Sequence, residues 1–187
     1  MNAVKQIINI GPKTKNATIN FQKDFKLSAD GIPGENTSSK LMYVVRKCQE
    51  ILGANVDGYW GDETEEKYQN FNNIKYFKRE EFYCKCGCGN GRIDIRLVKL
   101  LDDIREHYGA PITITSGVRC PSHNKAVGGV SNSWHLSTHN KASDFVVSGQ
   151  GSGEVNRYCQ VLISQGLARY AYAIDGSAVH IDIGGIM

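Results

Sequence analysis

The chain has 187 residues, of which 41% are hydrophobic and 22% are charged, and its formal net charge at pH 7 is +3. This length allows one domain or two small ones with a hydrophobic core, and the composition is that of a globular protein. The mild positive charge suits an anionic polymer such as nucleic acid or cell-wall material, but it does not discriminate between them.

No apolar run is long enough to cross a bilayer, so we expect no membrane insertion. The first residues, MNAVKQIINIG, lack the apolar core and the small-residue cleavage site of a secretory signal. We therefore expect synthesis in the cytoplasm without a signal peptide. A protein of this kind that acts outside the cell needs another route of exit.

Two similar segments in the N-terminal part indicate an internal repeat. Residues 30–37 (DGIPGENT) and 57–64 (DGYWGDET) share Asp-Gly, a second Gly and a Thr, and Gln22 and Gln49 each lie eight positions before the Asp. The glycines suit a tight loop, and the acidic residue and Thr suit the first turn of a following helix. Residues 38–52 carry apolar side chains at helical spacing. A small helical domain is predicted, with a generic helical hairpin as the alternative.

After a polar junction at residues 72–82 the pattern changes to a mixture of helices and strands. Two segments carry a single apolar stripe followed by Gly, and three segments alternate as strands do. The predicted helices are 95–108 and 154–165, and the predicted strands are 111–117, 141–147 and 178–185. This arrangement predicts an α+β fold.

The last two predicted strands carry residues that can hold a metal ion. Alternation along the final strand turns its apolar residues to the core, which leaves His180 and Asp182 on the opposite, open side. Asp144 occupies the polar side of the preceding strand, and His135 lies just upstream. A catalytic zinc site uses three protein ligands from His, Asp or Glu and keeps a fourth position for water. His135, Asp144 and His180 fit that role, although each could instead be an ordinary solvated polar residue.

The repeat region resembles the small three-helix peptidoglycan-binding domain. The stretches that carry the resemblance are FQKDFKLSADGIPGENTSSKL and RKCQEILGANVDGYWGDETEEKYQNF. The resemblance implies a wall-binding domain, which we assign to residues 1–74. A fainter repeat copy, GPKT at 11–14, lacks the Asp-Gly pair and a leading helix, so this unit is truncated or the natural chain is longer.

The C-terminal part resembles the zinc D-alanyl-D-alanine carboxypeptidase family and its phage-lysin relatives. SGVRCPSHNKAVGGVSNSWHLSTHNKASDF and the later VHIDIG carry this resemblance in order. It implies a zinc peptidase domain at residues 75–187, with a mainly antiparallel sheet and flanking helices. By the same resemblance, zinc is held by His135, Asp144 and His180. Arg119 binds a substrate carbonyl or carboxylate and stabilises the oxyanion.

The loop between two of the implied ligands departs from the family pattern. His135 and Asp144 are nine positions apart, two more than in the family, and Asn140 stands in place of a Gly. Asn tolerates the left-handed conformation, so the turn can survive with a two-residue bulge. The insertion also introduces His139, which either replaces His135 as a ligand or is a loop residue.

The sequence does not determine which carboxylate is the general base. Relatives often carry a carboxylate three positions before the last His ligand, where this chain has Ser177. Asp175 is the favoured base, although it could also be a turn residue. Asp182 is its rival, either as the base or as a carboxylate that orients a ligand. Ser133 and Trp134 are candidate substrate-binding residues, and packing is the alternative role of the Trp.

The cysteines allow a second metal site. Cys84, Cys86, Cys88 and Cys120 could hold a structural zinc ion, but their spacing differs from that of common zinc knuckles. A disulfide with Cys120 is the alternative. Cys48 and Cys159 lie on apolar helix faces and are expected in the core.

The combined expectation is a zinc metallopeptidase of the DD-carboxypeptidase or endopeptidase type that hydrolyses D-amino-acid-containing peptide bonds in bacterial peptidoglycan. Its expected setting is a monomeric phage or prophage endolysin, released by a holin or by lysis, with no nucleic-acid partner. The alternative is a non-catalytic cell-wall-binding or phage structural protein that retains the peptidase fold. The widened loop and the missing carboxylate at Ser177 favour this alternative.

Overall fold

The computed structural model describes residues 11–186, with side chains from residue 15 onward, so the faint repeat copy at 11–14 lies outside the described side chains. One compact unit extends to Asn73, and a second comprises Ile74–Ile186. The first is helical, and the second combines helices with an antiparallel sheet, which confirms the predicted fold class. Within residues 11–186, no helix combines the length and the apolar character needed to span a bilayer.

The first unit contains three helices, α1 (Gly11–Asp24), α2 (Glu35–Leu52) and α3 (Asp62–Gln69). Helix α2 buries Val45, Cys48 and Leu52 at helical spacing, as its apolar stripe predicts. It ends at Gly53, whose φ of 65° is left-handed and whose N–H is bonded to carbonyl oxygens of the last turn.

The second repeat is closed by a buried glutamine. Gln49 donates from Nε2 to Oδ1 of Asp57 at 2.8 Å and to Oγ1 of Thr64 at 3.2 Å. Its Oε1 accepts the N–H of Gly58 at 2.9 Å, where φ is 83°. One amide side chain therefore ties the end of α2, the loop and the start of α3 together.

The first repeat contains the same network. Gln22 donates to Oδ1 of Asp30 at 2.9 Å and to Oγ1 of Thr37 at 3.1 Å, and it accepts the N–H of Gly31 at 2.9 Å. The repeat seen in the sequence is thus also a repeat of hydrogen bonds centred on its Gln.

Removal of this network should destabilise the first unit. We expect Gln49→Leu to lower the free energy of unfolding by about 2–3 kcal/mol, because the buried N–H of Gly58 and hydroxyl of Thr64 lose their partner. Urea unfolding followed by the fluorescence of Trp60 in a Trp134→Phe background measures the change. Gln69→Leu is the matched control, because Gln69 is exposed. A change below about 0.5 kcal/mol for Gln49→Leu would contradict the role assigned to the network.

The second unit is built on a four-stranded antiparallel sheet in the order β1-β2-β4-β3. The strands are β1 (Ile112–Ser116), β2 (Ala142–Val147), β3 (Tyr170–Ala173) and β4 (Ala178–Asp182). The accompanying helices are α4 (Ile95–Tyr108), α5 (Pro121–Ala126) and α6 (Ser152–Ser164), with a 3-10 turn at Arg79–Phe82. Strands β2 and β4 are central, and all of their apolar residues except Val146 are buried, together with most of the apolar stripes of α4 and α6.

Strand β3 was not predicted from the sequence. It is a short edge strand in which only Ala171 is buried. Its sequence, YAYA, does not alternate between apolar and polar side chains, so the strand pattern is missing. As expected from the alternation, His180 and Asp182 share one face of β4, and both line a cavity that is open to solvent. They are nevertheless only 8% and 0% exposed, and the ring of Tyr172 on the neighbouring strand β3 stacks on His180.

Candidate metal centre and active site

A single row of residues crosses the sheet on the face opposite the apolar core. In the strand register Ser116 pairs with Asp144, Asp144 with His180, and His180 with Tyr172. Neighbours in such a row point to the same side of the sheet and lie within contact distance. The ring of Tyr172 stacks on that of His180, with 4.9 Å between the ring centroids. The sheet register therefore brings two potential metal ligands side by side.

His135 joins this row from a loop. The loop lies along the segment after β1, because the N–H of Arg119 donates to the carbonyl oxygen of His135 at 2.7 Å and the N–H of Ser137 donates to that of Arg119 at 2.9 Å. Asn140 closes the loop with φ of 59°, the left-handed conformation expected for it. The two extra residues are thus accommodated without moving His135 away from the strands.

Three donor atoms meet at one point. Nε2 of His135 lies 3.0 Å from Oδ1 of Asp144 and 3.1 Å from Nδ1 of His180, and the last two atoms are 2.8 Å apart. All three residues are buried. Two donors each about 2.0 Å from a tetrahedral zinc ion lie roughly 3.3 Å apart, so this spacing suits one shared ion.

The protonation of His135 makes the fit to a cation more specific. Nδ1 of His135 lies 2.7 Å from the carbonyl oxygen of Gly117, which can only accept, so this nitrogen carries the hydrogen. In the neutral ring Nε2 is then a bare lone pair, and it faces the carboxylate of Asp144. Converging lone pairs repel one another unless positive charge lies between them. The donor set and its geometry therefore fit Zn²⁺.

The pKa shifts of Asp144 and His180 also indicate that positive charge is favoured within the cluster. Burial opposes ionisation of Asp144, but the imidazole rings of His135 and His180 outweigh this effect and hold its pKa well below its usual range. Burial lowers the pKa of His180, but the carboxylates of Asp144 and Asp182 outweigh this effect and raise it above its ordinary value. An ionised Asp144 and positive charge beside it therefore stabilise each other.

Arg119 occupies the second oxygen of the same carboxylate. Its Nη2 donates to Oδ2 of Asp144 at 2.5 Å, and its Nε donates to Oγ of Ser116 at 2.8 Å. These two bonds fix the guanidinium group beside the three donors. Because Asp144 offers Oδ1 to the histidines and Oδ2 to Arg119, it is positioned as a ligand through one oxygen.

Asp182 lies behind His180 and is itself held by Arg169. Nε and Nη2 of Arg169 donate to the two carboxylate oxygens at 2.6 Å each, and the N–H of Gly184 donates to Oδ1 at 3.1 Å. Oδ2 also lies 3.5 Å from Nε2 of His180. Burial raises the pKa of Asp182, but bonds from His180 and Arg169 lower it overall. A carboxylate placed in this way orients a histidine ligand.

The sequence analysis missed Arg169. It directly precedes β3, and its role depends on the pairing of that strand with β4, which brings the N–H of Arg169 to the carbonyl oxygen of Asp182 at 2.8 Å. Its guanidinium group also lies 5.2 Å from the ring centroid of Trp134. Prediction of β3 as an edge strand would have located Arg169. The four residues of this strand are too few for a recognisable pattern.

Asp175 lies in the turn between β3 and β4. Its Oδ1 accepts the N–H groups of Ser177 and Ala178 at 2.7 Å each, and the hydroxyl of Ser177 at 3.1 Å. These bonds lower its pKa, and the residue is exposed. Asp175 is not among the residues that line the cavity beside the three donors.

That cavity has a volume of about 460 Å³ and is open to solvent. Besides the three donors it is lined by polar and aromatic side chains, which include Arg119, Ser133, Trp134, Arg169, Tyr170 and Tyr172. Within the part of the chain that the structure describes, Asp144 and Asp182 are the only carboxylates that line it. His139 does not join the donors, and its ring packs against Trp134 with 4.9 Å between centroids.

Comparison with protein families agrees with this architecture. A family model described as Peptidase M15 matches residues 75–182, more than half of the chain. A second family model, for a peptidoglycan binding domain, matches residues 9–41. Comparison with curated proteins gives no match.

Proposed function

Because the chain belongs to the peptidase M15 family of metallopeptidases, we propose that it is a zinc-dependent hydrolase of D-amino-acid-containing peptide bonds in bacterial peptidoglycan. The observation that carries this proposal is the convergence of three buried lone-pair donors beside an open cavity. The match to a peptidoglycan-binding domain supports peptidoglycan as the polymer on which the peptidase acts. By keeping the enzyme on the wall, this domain raises the effective concentration of substrate.

In the proposed site His135, Asp144 and His180 hold the zinc ion. When bound, zinc polarises the scissile carbonyl and increases the acidity of a water molecule. Arg119 donates hydrogen bonds to the substrate oxygen on which negative charge develops. It can do so because Ser116 and Asp144 already hold its guanidinium group at the cavity.

Aromatic and cationic side chains around the donors fit a peptide with a carboxylate nearby. Trp134, Tyr170 and Tyr172 supply flat apolar surfaces, and Ser133 supplies a hydroxyl group. We propose Ser133 and Trp134 as substrate-binding residues. The indole of Trp134 is buttressed by Gly184, where an added Cβ would lie 2.3 Å from the ring.

We assign Asp182, rather than Asp175, to the catalytic site, as a residue that positions His180. Two contacts support this assignment. Arg169 donates to both carboxylate oxygens of Asp182, and Oδ2 of Asp182 lies 3.5 Å from Nε2 of His180. Asp175 is engaged in the turn before β4. Both carboxylates among the described cavity residues are then engaged, Asp144 by Arg119 and Asp182 by Arg169.

The two aspartates make a matched pair of variants. We expect Asp182→Asn to weaken zinc binding and hydrolysis by about 10–100-fold, the usual effect of losing a carboxylate that orients a ligand. Asp175→Asn should leave zinc affinity unchanged and alter turnover less than about threefold. Zinc titration against a chelating dye and turnover at saturating zinc measure both. If Asp175→Asn keeps its zinc and loses turnover, Asp175 is the base.

The decisive experiment is mass spectrometry of fragments from a defined peptidoglycan. We expect new free amino groups at D-amino-acid-containing bonds, their loss on chelation and their return with added zinc. The fragments also identify the bond and separate a carboxypeptidase from an endopeptidase. We propose that the protein acts on the wall as a phage-type endolysin after release by lysis. Addition of the purified protein to intact cells, with their lysis as the readout, tests this role.

A non-catalytic wall-binding or phage structural protein is the second candidate. The observation in its favour is that both carboxylates of the cavity are engaged, Asp144 with Arg119 and Asp182 with Arg169. Stoichiometric zinc with no release of amino groups from any peptidoglycan would support this candidate over the hydrolase.

A further inference from the structure

Four cysteines of the second unit converge outside the cavity just described. Sγ of Cys86 lies 3.3 Å from that of Cys84 and 3.6 Å from that of Cys120, and with Cys88 all four sulfur atoms lie within 4.8 Å of one another. Bonded sulfur atoms in a disulfide are about 2.05 Å apart. Four thiolates about 2.3 Å from a tetrahedral zinc ion lie roughly 3.8 Å apart. The observed separations match a shared ion and not a disulfide.

The loop explains how cysteines at alternate positions reach one point. Gly87 and Gly89 have φ values of 76° and 77°, which favour glycine and let the chain turn within the cysteine loop. The N–H of Cys84 donates to the carbonyl oxygen of Asn90 at 2.7 Å and closes the loop. In an extended strand the same cysteines would be about 7 Å apart, so the unusual spacing works because of the two glycines.

Hydrogen-bond donors surround the sulfur atoms. The N–H of Cys120 donates to Sγ of Cys84 at 3.4 Å, the N–H of His123 donates to Sγ of Cys120 at 3.4 Å, and Nδ2 of Asn90 donates to Sγ of Cys88 at 3.1 Å. Cys120 is also the residue that caps the start of α5. Donors aimed at sulfur stabilise thiolates and orient ligands, as the surroundings of a metal site do.

We propose that Cys84, Cys86, Cys88 and Cys120 bind a second zinc ion, with a structural role. Four protein ligands complete a tetrahedron, so no position is left for water or substrate. Each thiol loses its proton to solvent as the ion binds. The proposal depends on the thiol cluster alone and is independent of the proposed hydrolysis.

The position of Cys120 indicates what this ion stabilises. The preceding segment holds Arg119 and the Gly117 carbonyl that orients His135. The N–H of Val118 donates to the carbonyl oxygen of Phe82 at 2.9 Å, just before the cysteine loop. A Cβ on Gly117 would lie only 2.5 Å from that oxygen. The ion would therefore fasten the cysteine loop to the segment that positions two residues of the first site.

Metal content of the full chain tests the proposal. We expect two zinc ions per chain in the parent, one in Cys86→Ser, one in His180→Ala and none in the double variant. Cys88→Ser is the second test variant, because Cys88 is exposed and its loss leaves the core intact. Cys159→Ala is the matched control and should retain two ions, because Cys159 is a buried cysteine outside the cluster.

Cobalt substitution reports the ligands directly. The absorption bands from thiolate to cobalt should persist in His180→Ala and disappear in Cys86→Ser, whether or not either protein hydrolyses peptidoglycan. Three results would overturn the proposal. They are a single zinc ion that His180→Ala removes, iron with labile sulfide in place of zinc, and a chain mass lower by two hydrogens with the cysteines joined in a disulfide.

Discussion

Replacement of His180 by alanine is expected to remove the zinc ion of the catalytic site and to reduce hydrolysis by about a thousandfold or more. His180 supplies one of the three donors, and its Nδ1 lies 2.8 Å from Asp144 and 3.1 Å from His135. Two remaining protein ligands bind zinc far more weakly. Polarisation by a metal ion is worth several kcal/mol, and about 4 kcal/mol corresponds to a thousandfold in rate.

The measurement combines zinc content with the rate of amino-group release from purified peptidoglycan. Circular dichroism should remain close to that of the parent, because the sheet register is set by backbone bonds on both sides of β4. Normal hydrolysis by folded His180→Ala would remove the ligand assignment altogether.

His139 provides the matched control for this experiment. It lies in the same loop as His135, but its ring packs against Trp134. We expect His139→Ala to retain zinc and His135→Ala to lose it. The reverse pattern would make His139 the ligand, the alternative that the widened loop left open.

Alternation along β4 was enough to predict that His180 and Asp182 share a face, because a strand has a fixed period of two. The pairing of Asp144 with His180 was not predictable in that way. These residues are brought together by the register of two strands, and register depends on packing and turns along the whole sheet. The convergence of the donors is a finding of the structure, and their role as zinc ligands stays a prediction.

The roles of the carboxylates depended on features that short-range patterns do not contain. Asp175 and Asp182 both stand near the last ligand in sequence, but only Asp182 meets a cationic partner, Arg169, which arrives with an unpredicted edge strand. The convergence of the cysteines likewise could not be predicted from short-range sequence patterns. The glycines of the cysteine loop were visible, but their left-handed conformations were needed to bring Cys84 and Cys88 together.

Arg119→Gln should have the second largest effect, a loss of about 10²–10³-fold in kcat, as expected for one donor that stabilises a developing oxyanion. KM should change less, because the interaction strengthens as negative charge develops on the substrate. Arg119 also bonds Oδ2 of Asp144, so its removal could act through the metal ligand instead. Turnover must therefore be measured at saturating zinc, together with zinc affinity.

Two further variants separate these causes. Arg119→Lys keeps the charge and loses the forked geometry, so we expect partial recovery of kcat. Ser116→Ala removes only the hydroxyl that accepts from Nε of Arg119, and we expect a loss of about tenfold with unchanged zinc affinity. If the guanidinium group acts on the substrate, its removal in Arg119→Gln must lower kcat even at full zinc occupancy. If saturating zinc restores Arg119→Gln to the parent rate, the residue acts only by holding Asp144, and the oxyanion must be stabilised by another group in the cavity.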